Sequence, residues 1–363
     1  MGRPERLGRL AVAVLAAALA AAAGRPCAAA EAPAPAPTPD ERKEATDLIA
    51  QFRKAKDDPE ARTKAVDRIL ELGGPAPAKL LEAVNADIRP LHPRYRQAFL
   101  DEAAKALAEK VRGTIAQDVE AARATILGLV RRDNLTGDEI AKDADPALRK
   151  LEETLRIDPA SLLKQSPALQ KQRDDLMALV PHWQRLSDYL VKHPDPKAPD
   201  AAKPVDLKAV LAAEEQLATL LALAKDDPGR WTILDNVPLE AKLDPEEAAG
   251  LRELNRILLL LGASPVRIDT ALCEAARDHS NDMARLGFFG HDSPVPGKAS
   301  PWDRAKRAGT SANAENINAG VDTGAGAIAS WWHSPGHFKN MLSPHRRAGL
   351  GRHGNLWTLM LGG

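Results

Sequence analysis

Residues 331–340, WWHSPGHFKN, carry two histidines four positions apart around a Ser-Pro-Gly sequence. Histidines at this spacing face one side of an uninterrupted helix, as they do in helical zinc sites. Pro335 prevents such a helix, because proline lacks a backbone donor and disfavours helical geometry at the residue before it. We therefore predict that one helix ends near His333 and that a second begins at Pro335, with Ser334 as its N-cap. Trp331 is then expected to face the core.

The sequence argues against two hydrolytic mechanisms. A zinc protease of the His-Glu-x-x-His type requires a glutamate directly after the first histidine, and this position is Ser334. A serine hydrolase of the α/β type requires a Gly-x-Ser-x-Gly turn, which the sequence lacks. Neither enzyme class is therefore predicted.

The surrounding sequence, from residue 244 to residue 363, is typical of a loop-rich domain. It holds 15 of the 24 glycines and six of the nine histidines. Residues 244–262 and 269–287 each begin with aspartate and end with glycine around an apolar stripe, which predicts two capped helices. Residues 348–363 alternate apolar side chains after a glycine-rich turn, which predicts a short buried strand. The concentration of histidines in this domain indicates where a site should be sought.

The domain contains, in this order, HDSP (291–294), WDRAKRAG (302–309), ENINAG (315–320), WWHSPGHFKNML (331–342) and a closing Gly-x-Gly turn followed by Trp-Thr. This order resembles the CAP superfamily of cysteine-rich secretory proteins, antigen 5 and pathogenesis-related 1 proteins, and in particular its exported bacterial branch without disulfides. The resemblance covers roughly residues 244–363 and implies an α-β-α sandwich with a small antiparallel sheet. We therefore expect an α+β fold in which this domain follows a mostly helical region.

The resemblance also implies a cavity lined by two histidines and two acids, a tetrad that coordinates a divalent metal in several family members. His291 corresponds to the first histidine and Glu315 to the acid of the Glu-Asn motif. His337 corresponds to the histidine that follows Ser-Pro-Gly. The second acid is absent, since Ser334 occupies its position, and this puts a four-ligand metal site in doubt. Asn255 likewise lacks the arginine that the branch often carries three residues later.

Three uses of these residues remain open. His291, Glu315 and His337 could form an open zinc site that lowers the pKa of a bound water and supports hydrolysis. Without a metal, the same groups could form a hydrogen-bonded network in a binding cavity, with Glu315 fixing one tautomer of a histidine. Alternatively, Glu315 and Asn316 could satisfy backbone groups of neighbouring loops. His279, on the inward face of its helix, is a further candidate for the cavity.

The other polar residues are expected to have structural or surface roles. Asp303 and Arg304 are expected to pair or cap locally, and His333 is expected to lie outside the site. The remaining histidines are expected to be exposed in turns (His345 and His353) or to be solvated or structural (His92, His182 and His193).

The N-terminus predicts an export signal. Three arginines within residues 1–9 precede an uncharged apolar run over residues 10–23, and residues 28–30 offer an Ala-x-Ala cleavage site. The run is shorter than the ~20 residues that span a bilayer, so no permanent membrane span is expected. After cleavage near Ala30, the protein is expected in the periplasm, at the cell surface or in the medium.

Cysteine usage agrees with a fold that is held by its core. Cleavage after Ala30 would remove Cys27 and leave Cys273 as the only cysteine, which makes an intramolecular disulfide impossible. Lipid modification of Cys27 is not favoured, because Pro26 precedes it where a lipoprotein signal has a small residue. Cys273 lies on the apolar face of a predicted helix, so we expect a buried and unreactive thiol.

Composition divides the whole chain into segments. The predicted segments are a signal peptide (1–30), an Ala/Pro linker (31–40), a helical region (41–193), a Pro-rich linker (194–206), a helix with a connector (207–243) and the CAP-type domain (244–363). The helical region is expected to be an irregular bundle, although residues 58–84 resemble one pair of short helices from a HEAT-type repeat.

These observations favour a binding module over an enzyme. The expected ligand of its polar His/Glu cavity is a small molecule, a lipid or an envelope component. The alternative is a metal-dependent hydrolase that acts outside the cytoplasm through His291, Glu315 and His337. The 50 basic residues balance 50 acidic residues, which gives no electrostatic reason to expect nucleic acid as a partner. The helical region could serve as a spacer or as a docking surface for a protein.

Overall fold

The computed structural model describes residues 38–193, 207–224 and 227–363, and its fold is α+β. The helices are α1 (Pro39–Lys54), α2 (Pro59–Leu72), α3 (Ala76–Lys110), α4 (Thr114–Val130), α5 (Gly137–Glu139), a π-helical turn (Ile140–Ala144), α6 (Asp145–Leu155), α7 (Pro159–Gln165), α8 (Pro167–Met177), α9 (Val180–Lys192), α10 (Leu207–Leu223), α11 (Asp227–Glu240), α12 (Pro245–Leu260), α13 (Thr270–Leu286), α14 (Pro301–Arg307), α15 (Gly324–Trp332) and α16 (Pro335–Leu342). The strands are β1 (Arg267–Ile268), β2 (Ala314–Ala319), β3 (Arg347–His353) and β4 (Leu356–Gly362). The predicted signal peptide, most of the Ala/Pro linker and the Pro-rich linker lie outside the described residues. Within the described ranges, no helix is long and apolar enough to cross a membrane.

Backbone contacts group the chain into two compact units. Among the described residues, the first comprises 38–102, 159–193 and 207–218, and the second comprises 103–158, 219–224 and 227–363. This grouping differs from the contiguous segments expected from composition, because residues 41–193 are divided between the units. The physical reason is the apolar faces of α4 and α6, which join the core of the second unit.

The first unit is a bundle of helices of unequal length. Gly73, with a positive φ, separates α2 from α3, as the predicted helix break requires. The helix that follows is not short, since α3 extends over 35 residues with Pro90 and Pro93 inside it. Tyr95 and Phe99 are buried in the turns after these prolines. Their burial offsets the backbone hydrogen bonds that the prolines cannot donate.

The second unit contains one sheet with the strand order β1-β3-β4-β2. β4 pairs antiparallel with β2 and β3, whereas β1 pairs parallel with β3 over Arg267 and Ile268. The sheet is therefore mixed and not purely antiparallel as expected. Two buried asparagines hold the short strand: Asn236 accepts from Ile268 N at 2.8 Å, and Asn255 accepts from Val266 N at 2.7 Å. These side chains satisfy backbone groups that a longer strand would pair within the sheet.

Helices cover both faces of this sheet, as an α-β-α sandwich requires. On β3, Gly349 and Gly351 face α13, and a β-carbon on Gly351 would lie only 2.1 Å from the backbone nitrogen of Arg277. Leu350, between these two glycines, faces α12. A β-carbon on Gly250 of that helix would lie only 2.4 Å from the Leu350 Cδ2 atom, so glycine is needed there as well. Glycine on β3 thus permits an approach between sheet and helix that no larger residue allows.

One apolar core joins the helices of residues 103–158 to the sandwich. Ile126 and Leu151 are fully buried in the same cluster as Trp331. A polar contact supports this packing, since Arg123 Nε donates to the carbonyl oxygen of Leu260 at 2.8 Å. The C-terminal domain is therefore completed by helices from an earlier part of the chain.

The helix boundaries predicted around residues 331–340 are confirmed. α15 ends at Trp332, α16 begins at Pro335, and Ser334 between them has the extended backbone of an N-cap. Both tryptophans before the break are buried. The two capped helices predicted upstream are confirmed as α12 and α13, with Asp244 and Asp269 as their N-caps.

The connector expected before the C-terminal domain is partly helical. α11 forms there although Pro238 lies within its last turn. Asn236 on this helix is 1% exposed and also donates to the carbonyl oxygen of Val266 at 2.9 Å. This tertiary anchor outweighs the local preference against helix near a proline.

Truncating Ile126 to alanine should destabilise the sheet, although this residue lies outside the predicted CAP-type segment. We expect a loss of about 2–5 kcal/mol, because a large side chain is removed from a closed core. Hydrogen exchange followed by mass spectrometry should show faster exchange of the β3 and β4 amides. Ile115→Ala is the matched control, since Ile115 is 42% exposed at the start of the same helix. Unchanged exchange in Ile126→Ala would contradict a shared core.

Candidate functional site

Glu315 is the central acid of the candidate site. It lies on β2 opposite Met360 of β4, so both side chains point to the face of the sheet that α13 covers. Glu315 is 6% exposed, and its Oε1 atom lies 2.9 Å from His291 Nδ1. The loop after α13 thus brings one predicted histidine into hydrogen-bond contact with the predicted acid.

The second oxygen of this carboxylate binds Arg304, and the expectation that Arg304 pairs locally is wrong. Arg304 is carried by α14, is 1% exposed, and donates from Nη2 to Glu315 Oε2 at 2.6 Å. The same guanidinium donates to the carbonyl oxygens of His291 and Lys298, both at 2.9 Å. Asp303 does act locally, because it completes the capping box of α14. Arg304 therefore joins the loop, the helix and the sheet at one point.

The loop before α14 is also attached to α13. Lys298 Nζ forms ion pairs with two aspartates of α13 at 2.7 and 2.8 Å. His279 Nε2 lies 3.0 Å from the carbonyl oxygen of Gly290, and His279 is fully buried. Burial lowers the pKa of His279, and the Arg304 charge lowers it further. His279 thus supports the loop from inside and has no exposed surface for a ligand.

His337 lies in the first turn of α16 beside His291. The two ring centroids are 6.4 Å apart and the ring planes are inclined by 56°. Asn316 on β2 donates to the carbonyl oxygen of His337 at 3.1 Å and accepts from Asn340 at 2.9 Å. Asn340 also donates to the carbonyl oxygen of Glu315 at 3.3 Å. Asn316 is fully buried, so it positions α16 and does not contact a ligand.

The two imidazoles have opposite protonation tendencies. The hydrogen bond to Glu315 raises the pKa of His291, although burial and the Arg304 charge oppose this effect. Burial lowers the pKa of His337, and the charge of His291 lowers it further. His291 therefore binds a proton more readily than His337. The His291 side chain is 49% exposed, so its Nε2 atom is the ring nitrogen available to a ligand.

The arrangement of donors does not fit a three-ligand zinc site. In the part of the chain that the structure describes, no group of three or more histidine, cysteine, aspartate or glutamate side chains is placed to hold a metal ion. Both oxygens of Glu315 are engaged, one by His291 and one by Arg304. A dication at Glu315 would also lie beside a buried guanidinium, which is electrostatically unfavourable. The Glu315 contact to His291 is the one that a hydrogen-bonded network requires, and the Asn316 contact to the carbonyl oxygen of His337 is the one that a structural role requires.

The model of the cysteine-rich secretory protein family, CAP, matches residues 251–353, a range that includes His291, Glu315 and His337. The C-terminal domain belongs to the CAP superfamily. This chain is similar to the uncharacterized protein YkwD of Bacillus subtilis (strain 168). The two are 31% identical over 173 residues, which cover 46% of this chain and 65% of YkwD, just under two thirds of its length.

A crystal structure of an extracellular protein with an SCP domain from Bacillus anthracis str. Ames is also similar to this chain. The sequence identity is 25%, and the match covers 33% of this chain and 43% of the other. The TM-score is 0.29, so the likeness adds nothing to the structural argument.

His333 lies outside the candidate site, but it has a contact of its own. Its Nε2 atom lies 3.0 Å from Asp145 Oδ2, and Trp332 Nε1 donates to Oδ1 of the same aspartate at 2.9 Å. Asp145 opens α6, so these contacts attach the upstream helices to the CAP domain. Of the two histidines four residues apart, His337 therefore lies at the candidate site and His333 at an internal contact.

The other histidines and the cysteine differ in exposure. His353 is exposed as expected, whereas His345 is half-buried because its Nε2 atom is bonded to a backbone carbonyl oxygen. His92 and His182 are buried in the first unit. Cys273 is 1% exposed, and burial raises its pKa to about 12. The expected burial of this thiol is confirmed.

Replacing Glu315 with glutamine should lower the pKa of His291, because the amide removes the negative charge of the acceptor. The pKa of His337 should rise in turn, since less positive charge stands beside it. Imidazole 1H–15N spectra recorded across a pH series would measure both. The raised pKa of His291 stabilises the fold at pH below about 6.5. This contribution is lost as the pH rises through the folded-state pKa, and Glu315→Gln should abolish that dependence.

Asp303→Asn is the matched control for this variant. It removes a nearby carboxylate that caps α14 and leaves the contacts of Glu315 intact. An unchanged pKa of His291 in Glu315→Gln would show that the observed hydrogen bond does not control its protonation.

Proposed function

We propose that the protein is an exported binding protein whose CAP domain holds its ligand at His291 and His337. The observation that carries this proposal is the chain of hydrogen bonds from Arg304 through Glu315 to His291. It fixes the orientation of a half-exposed imidazole, whose free Nε2 atom accepts a hydrogen bond when the ring is neutral and donates one when the ring is protonated. The ring centroid of His337 lies 6.4 Å from that of His291, so one nitrogen from each ring can approach the same polar group of a ligand.

The charges favour a ligand with an anionic oxygen. Arg304 offsets the charge of Glu315, so protonation of His291 leaves one positive charge at the open edge of the site. The neutral His337 can donate or accept beside it. A carboxylate matches this pair, because its two oxygens can accept from both rings. Phe289 is 56% exposed on the same loop, which offers apolar surface to the remainder of an amphipathic ligand.

Binding is better supported than metal-dependent hydrolysis. A hydrolase that used His291, Glu315 and His337 would need three ligands converging on an open metal position. Glu315 instead points to the buried Arg304 and to Nδ1 of His291. The polar groups are thus arranged to orient one imidazole donor, which is a requirement of recognition.

Acetate and octanoate should bind at this site and shift the imidazole resonances of His291 and His337 together in NMR titrations of the full-length chain. Because His291 must be protonated to attract the anion, we expect affinity to fall roughly tenfold from about pH 5.5 to about pH 8.5. His291→Gln should abolish binding, and octanoate should bind more tightly than acetate if Phe289 contacts its chain.

His353→Gln is the control, since His353 lies on an exposed end of β3. This variant should bind both anions like the native chain. Affinity that is independent of pH, or unchanged in His291→Gln, would contradict the proposal. Stoichiometric zinc in the purified protein, together with a hydrolytic activity that His291→Ala abolishes, would favour the hydrolase.

Export is the second part of the proposal, and it is supported by the basic, apolar and Ala-x-Ala pattern of residues 1–30. N-terminal sequencing of the protein from fractionated cells should find a mature chain that begins at residue 31 outside the cytoplasm. An intact N-terminus on protein found only in the cytoplasmic fraction would contradict export.

A further inference from the structure

Arg62 in the first unit is a buried cation without an acidic partner. It lies in the first turn of α2 and is 6% exposed. Its Nε atom is shielded from solvent and has no hydrogen-bond partner, and no ion pair of this side chain occurs among the described residues. The guanidinium carbon lies 5.0 Å from the ring centroid of Phe52 on α1. Such a cation–π contact is worth about 0.5–2 kcal/mol, which is less than the cost of burying an unpaired charge.

His182 on α9 approaches the same aromatic ring. Its ring centroid lies 5.4 Å from that of Phe52, at an interplanar angle of 88°. His182 is 6% exposed, and its Nδ1 atom is another shielded polar atom without a partner. Burial lowers the pKa of His182, followed by the charges of Arg62 and Arg185. Two polar side chains from different helices thus meet at one ring with hydrogen-bonding capacity unused.

The neighbouring charges do not neutralise Arg62. Arg185, one turn after His182, forms an ion pair with Asp67 of α2. That pair is internally balanced and partly exposed. The positive charge of Arg62 is therefore in excess, and the residue remains 6% exposed.

We propose that Arg62 and His182 form a binding site for a small oxyanion of the phosphate type. The planar guanidinium can donate two parallel hydrogen bonds to such an anion, and the imidazole can donate a third. The anion supplies the negative charge that the protein lacks at this point. The site belongs to the first unit and is independent of the proposed ligand site at His291 and His337.

Calorimetric titration of the full-length chain with inorganic phosphate tests the proposal, at constant ionic strength and with chloride as the reference anion. The titration uses the His291→Gln background, which removes any phosphate binding at the CAP domain. The signal then reports only the site at Arg62 and His182, so a failure of the proposed function is not mistaken for a failure of this proposal. We expect saturable binding that Arg62→Met weakens at least tenfold. Glycerol 3-phosphate tests a phosphate group carried by a larger molecule: equal binding favours such a group, and binding of inorganic phosphate alone favours the free ion.

Arg68→Met is the matched control, because Arg68 lies on the same helix but is paired with Glu44 and Glu71. It should bind phosphate like the parent chain. Thermal unfolding separates a binding role from a structural one. If the charge of Arg62 is neutralised only by a bound anion, Arg62→Met should raise the unfolding midpoint in chloride. It should also remove the further increase in midpoint that phosphate causes in the parent chain. A lowered midpoint in Arg62→Met with an unchanged response to phosphate would overturn the proposal.

Discussion

The ion pair between Arg304 and Glu315 is buried on both sides, with side-chain exposures of 0% and 2%. Burying two charges costs several kcal/mol per ion, and this cost is offset only when geometry is good and further hydrogen bonds are made. Arg304 also donates to the carbonyl oxygens of His291 and Lys298, although its buried Nε atom has no partner. Removing one member of such a pair costs about 3–5 kcal/mol. The loop, α14 and β2 are therefore held in one arrangement.

This arrangement gives the two histidines different properties. His291 is bonded to a carboxylate and gains affinity for a proton, whereas His337 is half-buried beside it and loses affinity. The difference depends on α16 keeping its position, which Asn316 and Asn340 secure through partly buried hydrogen bonds of their side-chain amides. A polar network of this kind can orient a ligand because each member is held by another.

The remainder of the second unit supplies a rigid platform for these residues. Gly349 and Gly351 allow α13 to lie directly against β3. On the opposite face, α12 and α15 share one core with α4 and α6. Asp145 adds polar contacts to Trp332 and His333 at this boundary. The helices of residues 103–158 are thus a structural part of the CAP domain, although no CAP motif extends into them.

Local sequence alone determined the helix break at Pro335, the caps at Asp244 and Asp269, and the burial of Cys273. Each depends on backbone chemistry or periodicity within a few residues. The order of motifs further identified His291, Glu315 and His337. Only the tertiary structure decided the contact of Arg304 with Glu315, the supporting role of His279 and the helices that complete the core. These contacts join residues that are separated by a loop or by many helices. An apolar stripe or a buried arginine predicts that a partner exists, but not which one.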